Sequence, residues 1–442
     1  MKKVLVISYF FPPLGGVGVQ RTLKFVKYLL QFGWKPIVLS VKNPDYHLFD
    51  PDLLEEIPKE VEVIRTYSLE PTRLFKFCRS CFDLMRSILR GKRKKESGSY
   101  FSQNQKPSLF SRINLFLFIP DSKVGWLPFT LWSLFYQLRK EKLDMIYSTS
   151  PPVTCHLVGF AAKLLFRKPW VIDLRDLWSL NPYIKPITRF HLRITKLLEK
   201  KVFMFADKII TVSDRLRRDL VGSYPNLNSG KFKVITNGYD REDFPSEVKD
   251  KNNRFSIGHV GTLYAGQTPL YFLQALGQLK KDNPDLGKNI VVTFLGEIDR
   301  NNRRILEGLV QKFQLQDMVV RKGTVSHRAA IAQMLRFDLL LLIIGKENIG
   351  CLTGKLFEYL AARKPILALV EDGPARKLIQ ETQSGVAIDP EDIGGIKEAI
   401  LNYYESYRKG DSKMHSKMEV ITRFERKKLT QQLADIFDEL KT

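Results

Sequence analysis

Residues Val4-Leu5-Val6-Ile7 form a short unbroken apolar run, long enough for a buried strand and too short for a helix. Beyond a glycine cluster, apolar positions 19, 23, 26, 29 and 30 share one helical face, and Gly33 closes the pattern. Ile37–Leu39 and Val61–Ile64 predict two further strands, and strand–helix–strand at this spacing implies parallel pairing. The rhythm resumes at Leu143–Ser148 and continues through "KPWVIDLRDLW", "DKIITVSD" and "KFKVITNGYD". A second run of the same kind places strands near Ile257–Gly261, Ile290–Leu295, Val319–Lys322, Asp338–Ile344, Pro365–Leu369 and Val386–Ile388. Between the two runs, residues 245–254, "PSEVKDKNNR", are polar and aperiodic, as a linker would be. The pattern therefore predicts two doubly wound α/β domains, with ligands at the carboxyl ends of the strands and in the cleft between the domains.

Two segments depart from this rhythm. Residues 86–106, "RSILRGKRKKESGSYFSQNQK", are basic and then polar, with no apolar face, and read as a surface loop. Residues 110–138 are apolar and rich in aromatics. Their longest uncharged stretch, Val124 to Leu138, has 15 residues and contains Pro128, short of the roughly 20 a membrane span needs. The final "FERKKLTQQLADIFDELKT" puts Leu429, Leu433, Ile436, Phe437 and Leu440 on one helical stripe.

Composition adds two constraints. A chain of 442 residues exceeds one ordinary core, and its net charge of +24 calls for a polyanionic partner: nucleic acid, an anionic membrane or a phosphorylated substrate. The four cysteines, Cys78, Cys81, Cys155 and Cys351, make one CxxC without a second pair to complete a zinc site, so they read as reduced thiols of a cytoplasmic protein. The first apolar stretch ends in Pro12-Pro13 with no small-residue cleavage site, which is not a secretory signal.

Two loops carry candidate chemistry. In "SYFFPPLGGVGVQR", Gly15, Gly16 and Gly18 let backbone N–H groups approach an anion, the following helix adds its dipole, and Arg21 falls in the first turn. A nicotinamide fingerprint does not fit: Arg21 occupies the third glycine position and no acidic residue closes the second strand. In "IGCLTGKLFEYLAARKPILAL", Thr353 suits an N-cap, and Lys355 and Glu358 share a face at i and i+3. There Lys355 and free N–H groups can hold a diphosphate, and Glu358 can accept two hydrogen bonds from a ribose diol. A plain ion pair on a solvated face is the alternative. Asp173, Arg175 and Asp176, after "PWVI", stand at a strand's carboxyl end, either as an ion-pair network or as acceptor-side groups.

"GKLFEYLAARKPILAL" resembles the donor-site signature of family 4 glycosyltransferases, which have the GT-B fold of two Rossmann-like domains. The glycine loop "SYFFPPLGGVGVQR", the acceptor-domain stretch "STSPPVTCHLVGFAAKLLFRKPWVIDLRDLW" and the donor-domain loop "IGHVGTLYAGQ" resemble the family's other motifs, in its order. The acceptor-domain stretch is similar to the bacterial cell-surface-polysaccharide branch. The resemblance implies an acceptor-side domain over 1–245, a donor domain over 255–420, and a last helix, 424–442, that packs back on the first domain. It implies a nucleoside-diphosphate-sugar donor (UDP or GDP), a lipid-linked or glycan acceptor, retention at the anomeric carbon, and no metal or cofactor. His156, Lys355 and Asp176 are then the expected catalytic residues. Gly15, Gly16, Gly18, Arg21, Gly261, Thr262, Thr353, Lys355 and Glu358 are the expected donor-binding ones. Two departures bear on this. Gly350 stands where many members carry a first Glu, separated from Glu358 by seven intervening residues, and "GTLYAGQTPLYF" lacks the Arg and Lys that often follow the glycine loop. Lys355, with Arg328 as a further candidate, must then supply more countercharge.

Two rivals remain open at this level. A nucleic-acid-binding protein would use the basic segments 90–95 and 185–218, although no recognisable binding fold or stacking motif accompanies them and no nucleic-acid partner is expected. A sugar-nucleotide epimerase would share the fold but need no lipid acceptor. The basic loop beside the aromatic segment, with Trp126, Phe129, Trp132, Phe135 and Tyr136, predicts peripheral binding to the anionic inner face of the cell membrane. If the aromatics are buried, they are core instead.

Overall fold

The computed structural model describes residues 1–46, 48–70, 119–181, 188–245, 253–264, 266–345, 352–410 and 416–441. The basic loop 86–106, the linker residues 246–252, Gly350 and Cys78, Cys81 and Cys351 lie outside the described residues.

Two parallel sheets organise the chain. The first joins β1 (Lys2–Ile7), β2 (Trp34–Val41), β3 (Glu62–Thr66), β4 (Met145–Ser150), β5 (Trp170–Leu174), β6 (Lys208–Thr211) and β7 (Phe232–Val234) in the order β3-β2-β1-β4-β5-β6-β7. The second joins β8 (Phe255–Val260), β9 (Ile290–Leu295), β10 (Val319–Lys322), β11 (Leu339–Ile343), β12 (Ile366–Leu369) and β13 (Gly385–Ile388) in the order β10-β9-β8-β11-β12-β13. Both are Rossmann-like, as the apolar runs predict. The interior strands are buried on both faces, so they read as continuous apolar runs with no alternation.

Strand order reverses between β1 and β4, which pair Val4 with Met145, and between β8 and β11, which pair Ile257 with Leu339. The loops leaving the two strands at such a point diverge to opposite faces and open a crevice. The glycine loop after β1 and the Ser150–Val153 turn after β4 flank the first crevice. Gly261 after β8 and the N-terminus of helix Gly354–Ala362 flank the second.

The last helix, Arg426–Lys441, lies against helix Val17–Leu29 of the first sheet layer. Leu429, Leu433, Ile436 and Phe437 share one apolar cluster with Val4, Leu23, Val26 and Trp34, and the Phe437 ring meets that of Trp34 edge-on at 5.2 Å. Asp438 accepts hydrogen bonds from Lys2 Nζ (2.6 Å) and Trp34 Nε1 (3.0 Å), which fixes the register of the docking.

The aromatic segment divides. Trp126 is fully buried and donates to Thr66 Oγ1 (2.8 Å), so it belongs to the core and not to a membrane-facing set. Phe129 is half-buried, whereas Trp132, Phe135 and Tyr136 of helix Leu127–Tyr136 are exposed. No helix of the described residues is long and apolar enough to cross a membrane.

Candidate functional site

On the first domain, Gly16 caps helix Val17–Leu29 with φ +94°, a conformation that favours glycine. A Cβ at Gly18 would lie 3.2 Å from Arg175 Nη1. Arg175 donates to Gly18 O, to Ser150 O (2.7 Å) and to Pro151 O (2.9 Å), so it ties the glycine loop to the turn after β4. Arg21 is fully buried and commits its donors to the protein: Asp173 takes two (2.9 and 2.8 Å), Ile235 O and Thr236 O the others (2.9 and 2.7 Å). The sequence places Arg21 beside a diphosphate, but the fold spends its charge on Asp173. Burial would raise the Asp173 carboxyl, yet Arg21 and the hydroxyls of Tyr147 and Thr149 hold it below the usual range. Of the three charges after "PWVI", only Asp176 is exposed and open to a ligand.

His156 is fully buried in helix Thr154–Phe166, whose start is fixed by Asp121 accepting from Thr154 N and Oγ1 (both 2.8 Å). Ser148 Oγ lies 2.9 Å from His156 Nδ1 and accepts from Trp170 Nε1 (3.0 Å). The arrangement that leaves no hydroxyl proton unpaired has Ser148 donating to Nδ1 and the proton of the neutral imidazole on Nε2. Burial pulls His156 down to about 3, so it stays neutral. Its Nε2–H has no partner among the described residues; neither has Trp178 Nε1, whose ring centroid is 6.4 Å from that of His156, nor Ser150 Oγ. Buried unpaired donors at the end of a central strand are what a polyhydroxylated ligand would complete.

On the second domain, Gly261 follows β8 with φ +120°, and a Cβ there would sit 2.7 Å from Lys355 Cε. The lysine thus lies across the glycine turn. Gly296 (φ +126°) packs against the same turn, and a Cβ on it would be 2.7 Å from Gly261 O. Thr262 is exposed beside them. Thr353 occupies the N-cap of helix Gly354–Ala362 but makes no capping bond; its Oγ1 is buried without a partner. Lys355 Nζ lies 3.0 Å from His259 Nε2, and burial pulls the ammonium down to about 7, with Glu358 opposing.

Glu358 is raised by burial and held back by His327, Arg426 and Lys355, while Asp243 pushes the same way as burial. His327 Nε2 stands 3.2 Å from Asp243 Oδ2 and 3.9 Å from Glu358 Oε1. Burial alone would lower the imidazole, but Asp243 and Glu358 together raise it. Arg328, the sequence candidate, points away: it is exposed and reaches Glu55 at 3.6 Å. Arg426, in the first turn of the last helix, is buried with Nη1 unpartnered, and burial together with Arg21 pulls it down to about 9.

The carboxylates of Glu56, Asp240 and Asp243 converge closely enough for a cation. Lys24 Nζ sits among them, 2.6 Å from Glu56 and 2.8 Å from Asp240, and bonds Asp243 as well. This pins the segment between the domains to helix Val17–Leu29. Sequence reasoning missed Asp243, His259, Gly296, His327 and Arg426. Only Gly296, directly after the β9 apolar run, carried a local signal.

Residues 88–243 match Glycosyltransferase Family 4, and residues 240–419 match Glycosyl transferases group 1. Alpha-maltose-1-phosphate synthase of Mycobacterium tuberculosis is 27% identical over 138 residues, which span 30% of this chain and about a third, 34%, of that protein. Among solved structures, a glycosyltransferase from Rickettsia africae superposes with a TM-score of 0.65 at 16% identity, covering 99% of this chain and 98% of the other. Anabaena Alr3699/HepE, solved with UDP-glucose, gives a TM-score of 0.64 at 17% identity with 100% of both chains covered. With both halves matched in order and two Rossmann-like parallel sheets, the chain belongs to the family 4 glycosyltransferases of the GT-B fold.

Proposed function

We propose that the protein transfers a sugar from a nucleoside diphosphate to an acceptor hydroxyl, with retention at the anomeric carbon, in the synthesis of a cell-surface polysaccharide or lipid-linked glycan. The observation that carries this reading is Lys355 lying across Gly261 at the second crevice, with Glu358 one turn further along the same helix. The N-terminus of that helix and Lys355 face the diphosphate, and Glu358 takes the ribose diol. As the glycosidic bond breaks, negative charge grows on the diphosphate, and Lys355 with the helix terminus stabilises it. The His156 Nε2–H hydrogen-bonds the transferred sugar, and Asp176 stands on the acceptor side. UDP is the favoured nucleotide, because the structurally similar Anabaena protein is solved with UDP-glucose.

The acceptor is lipid-linked and reached at an anionic surface. Exposed Trp132, Phe135 and Tyr136 are followed by Arg139 and Lys140, and helix Arg189–Phe205 exposes Phe190, Leu197, Met204 and Phe205 among Arg193, Lys196, Lys200 and Lys201. Helix Thr154–Phe166, which carries His156, packs between the two. Calorimetric titration with UDP, GDP and their glucose conjugates tests the donor site, and proton NMR of the product anomer tests retention. Binding of neither nucleotide would overturn the reading.

A further inference from the structure

We propose that His259 is a positioning residue for donor binding: from beneath the glycine turn after β8, its imidazole holds the Lys355 ammonium over Gly261, facing the diphosphate. This rests on the reading of Lys355 as the diphosphate's counter-ion.

His259 is fully buried in β8. Its Nδ1 lies 3.0 Å from Leu341 O in the neighbouring β11. A carbonyl only accepts, so Nδ1 carries the proton and Nε2 presents a lone pair. Lys355 Nζ stands 3.0 Å from that lone pair and donates to it. Sheet register thus sets the tautomer, and the tautomer sets the position of the lysine. The space for this arrangement comes from Gly261, where a Cβ would lie 2.7 Å from Lys355 Cε and 3.1 Å from Nζ.

The imidazole is suited to this task because it does not titrate nearby. Burial and the charge of Lys355 hold it well below its ordinary range, so Nε2 stays an acceptor. The groups facing Lys355 are few. Glu358 is one turn along its own helix, with His327, Asp243 and Arg426 gathered around that carboxylate; the Tyr359 hydroxyl accepts from Val260 N (2.8 Å). Only Glu358 favours the ammonium against burial, which brings it to about 7. An arriving diphosphate therefore binds with net proton uptake at neutral pH, and the His259 acceptor keeps the proton in place.

UDP titrations by calorimetry across roughly pH 6–9, in two buffers of different ionisation enthalpy, test this. The wild type should take up a fraction of a proton on binding, and its affinity should fall as pH rises through Lys355's range. His259→Asn keeps a donor toward Leu341 O but removes the acceptor. It should weaken UDP about tenfold and move the fall to lower pH. His259→Gln, whose amide oxygen can reach the Nε2 position, should recover most of the loss. If both variants bind UDP like the wild type with the same pH profile and lose only thermal stability, His259 is plain core and the proposal is wrong. Nitrogen-15 NMR of the wild type checks the geometry without altering His259: a proton found on Nε2 overturns the proposal. Lys355→Ala separates the two layers, since unchanged UDP affinity there removes the diphosphate reading itself.

Discussion

The Asp50 carboxylate of the first domain caps a helix of the second: its Oδ2 accepts from His327 N at 2.9 Å, at the start of helix His327–Arg336. The helix's own N-cap, Ser326, makes no side-chain cap bond, so Asp50 does the work from across the cleft. Asp50 is in turn bound to the glycine loop, through its backbone N to Pro13 O at 2.9 Å and a close approach to Gly15. The glycine loop and His327 are therefore mechanically joined.

Asp50→Ala should cost about 1 kcal/mol of stability, as cap removal typically does, and weaken UDP binding several-fold by loosening the closed arrangement. Asp50→Asn, which still accepts, should lose less. Arg328→Ala, which removes an exposed pair with Glu55, should change stability by less than about 0.5 kcal/mol. Thermal unfolding and calorimetry read all three. UDP affinity that stays constant in Asp50→Ala would make the cap structural only.

Glu358→Gln should weaken UDP by about 1.5–3 kcal/mol, because an acceptor-only carboxylate gives way to an amide at the ribose diol. The fold should stand, since the side chain makes no hydrogen bond among the described residues and His327 is 3.9 Å away. Calorimetric titration measures the loss, and affinity equal to the wild type would take Glu358 out of the site.

His327 gives a pH signature in stability. Its folded-state pKa is raised above the ordinary 6.5, net of burial, by Asp243 and Glu358. Its contribution is fully present below that ordinary value and is lost as pH rises through the raised one. The stability difference between wild type and His327→Gln should then be largest below the ordinary histidine range and shrink as pH rises above it. Urea midpoints at a series of pH values test the direction. A difference that grows with pH would contradict the assignment.

The exposed aromatic face predicts flotation with anionic but not neutral liposomes, and release by roughly 0.5 M salt as screening shortens electrostatic reach to a few Å. Trp132→Ser should weaken binding and leave the fold intact, because Trp132 is 55% exposed. Trp126→Ser should instead destabilise the first domain by about 3–5 kcal/mol, the usual cost of truncating a buried tryptophan. Binding indifferent to lipid charge and to salt would leave a soluble acceptor as the better reading.

The strands and the two glycine turns were readable because each is a local pattern: apolar runs followed by residues that tolerate positive φ. Lys355 and Glu358 were readable because i and i+3 positions share a helix face. What lies near them was not. His259 is 96 positions from Lys355, and only the β8–β11 pairing brings it there. Arg21 looked available because Asp173, 152 positions away, is invisible to local reasoning. The misreading of Arg328 for His327 is one residue wide, and it shows how finely the start of a helix decides which side chain faces the cleft.

The docking of residues 426–441 on the first sheet layer has a consequence for how the protein is made. Phe437 sits against Trp34 and Tyr147. On the ribosome, the first domain emerges early, but the groove that receives this helix stays uncovered until the whole second domain has been synthesised. The amino-terminal half must therefore wait with apolar surface open to solvent, in the reach of chaperones. Any chain that stops short of residue 426 would leave Leu23, Val26 and Trp34 without their cover. Completion of translation thus acts as a checkpoint on assembly of the cleft.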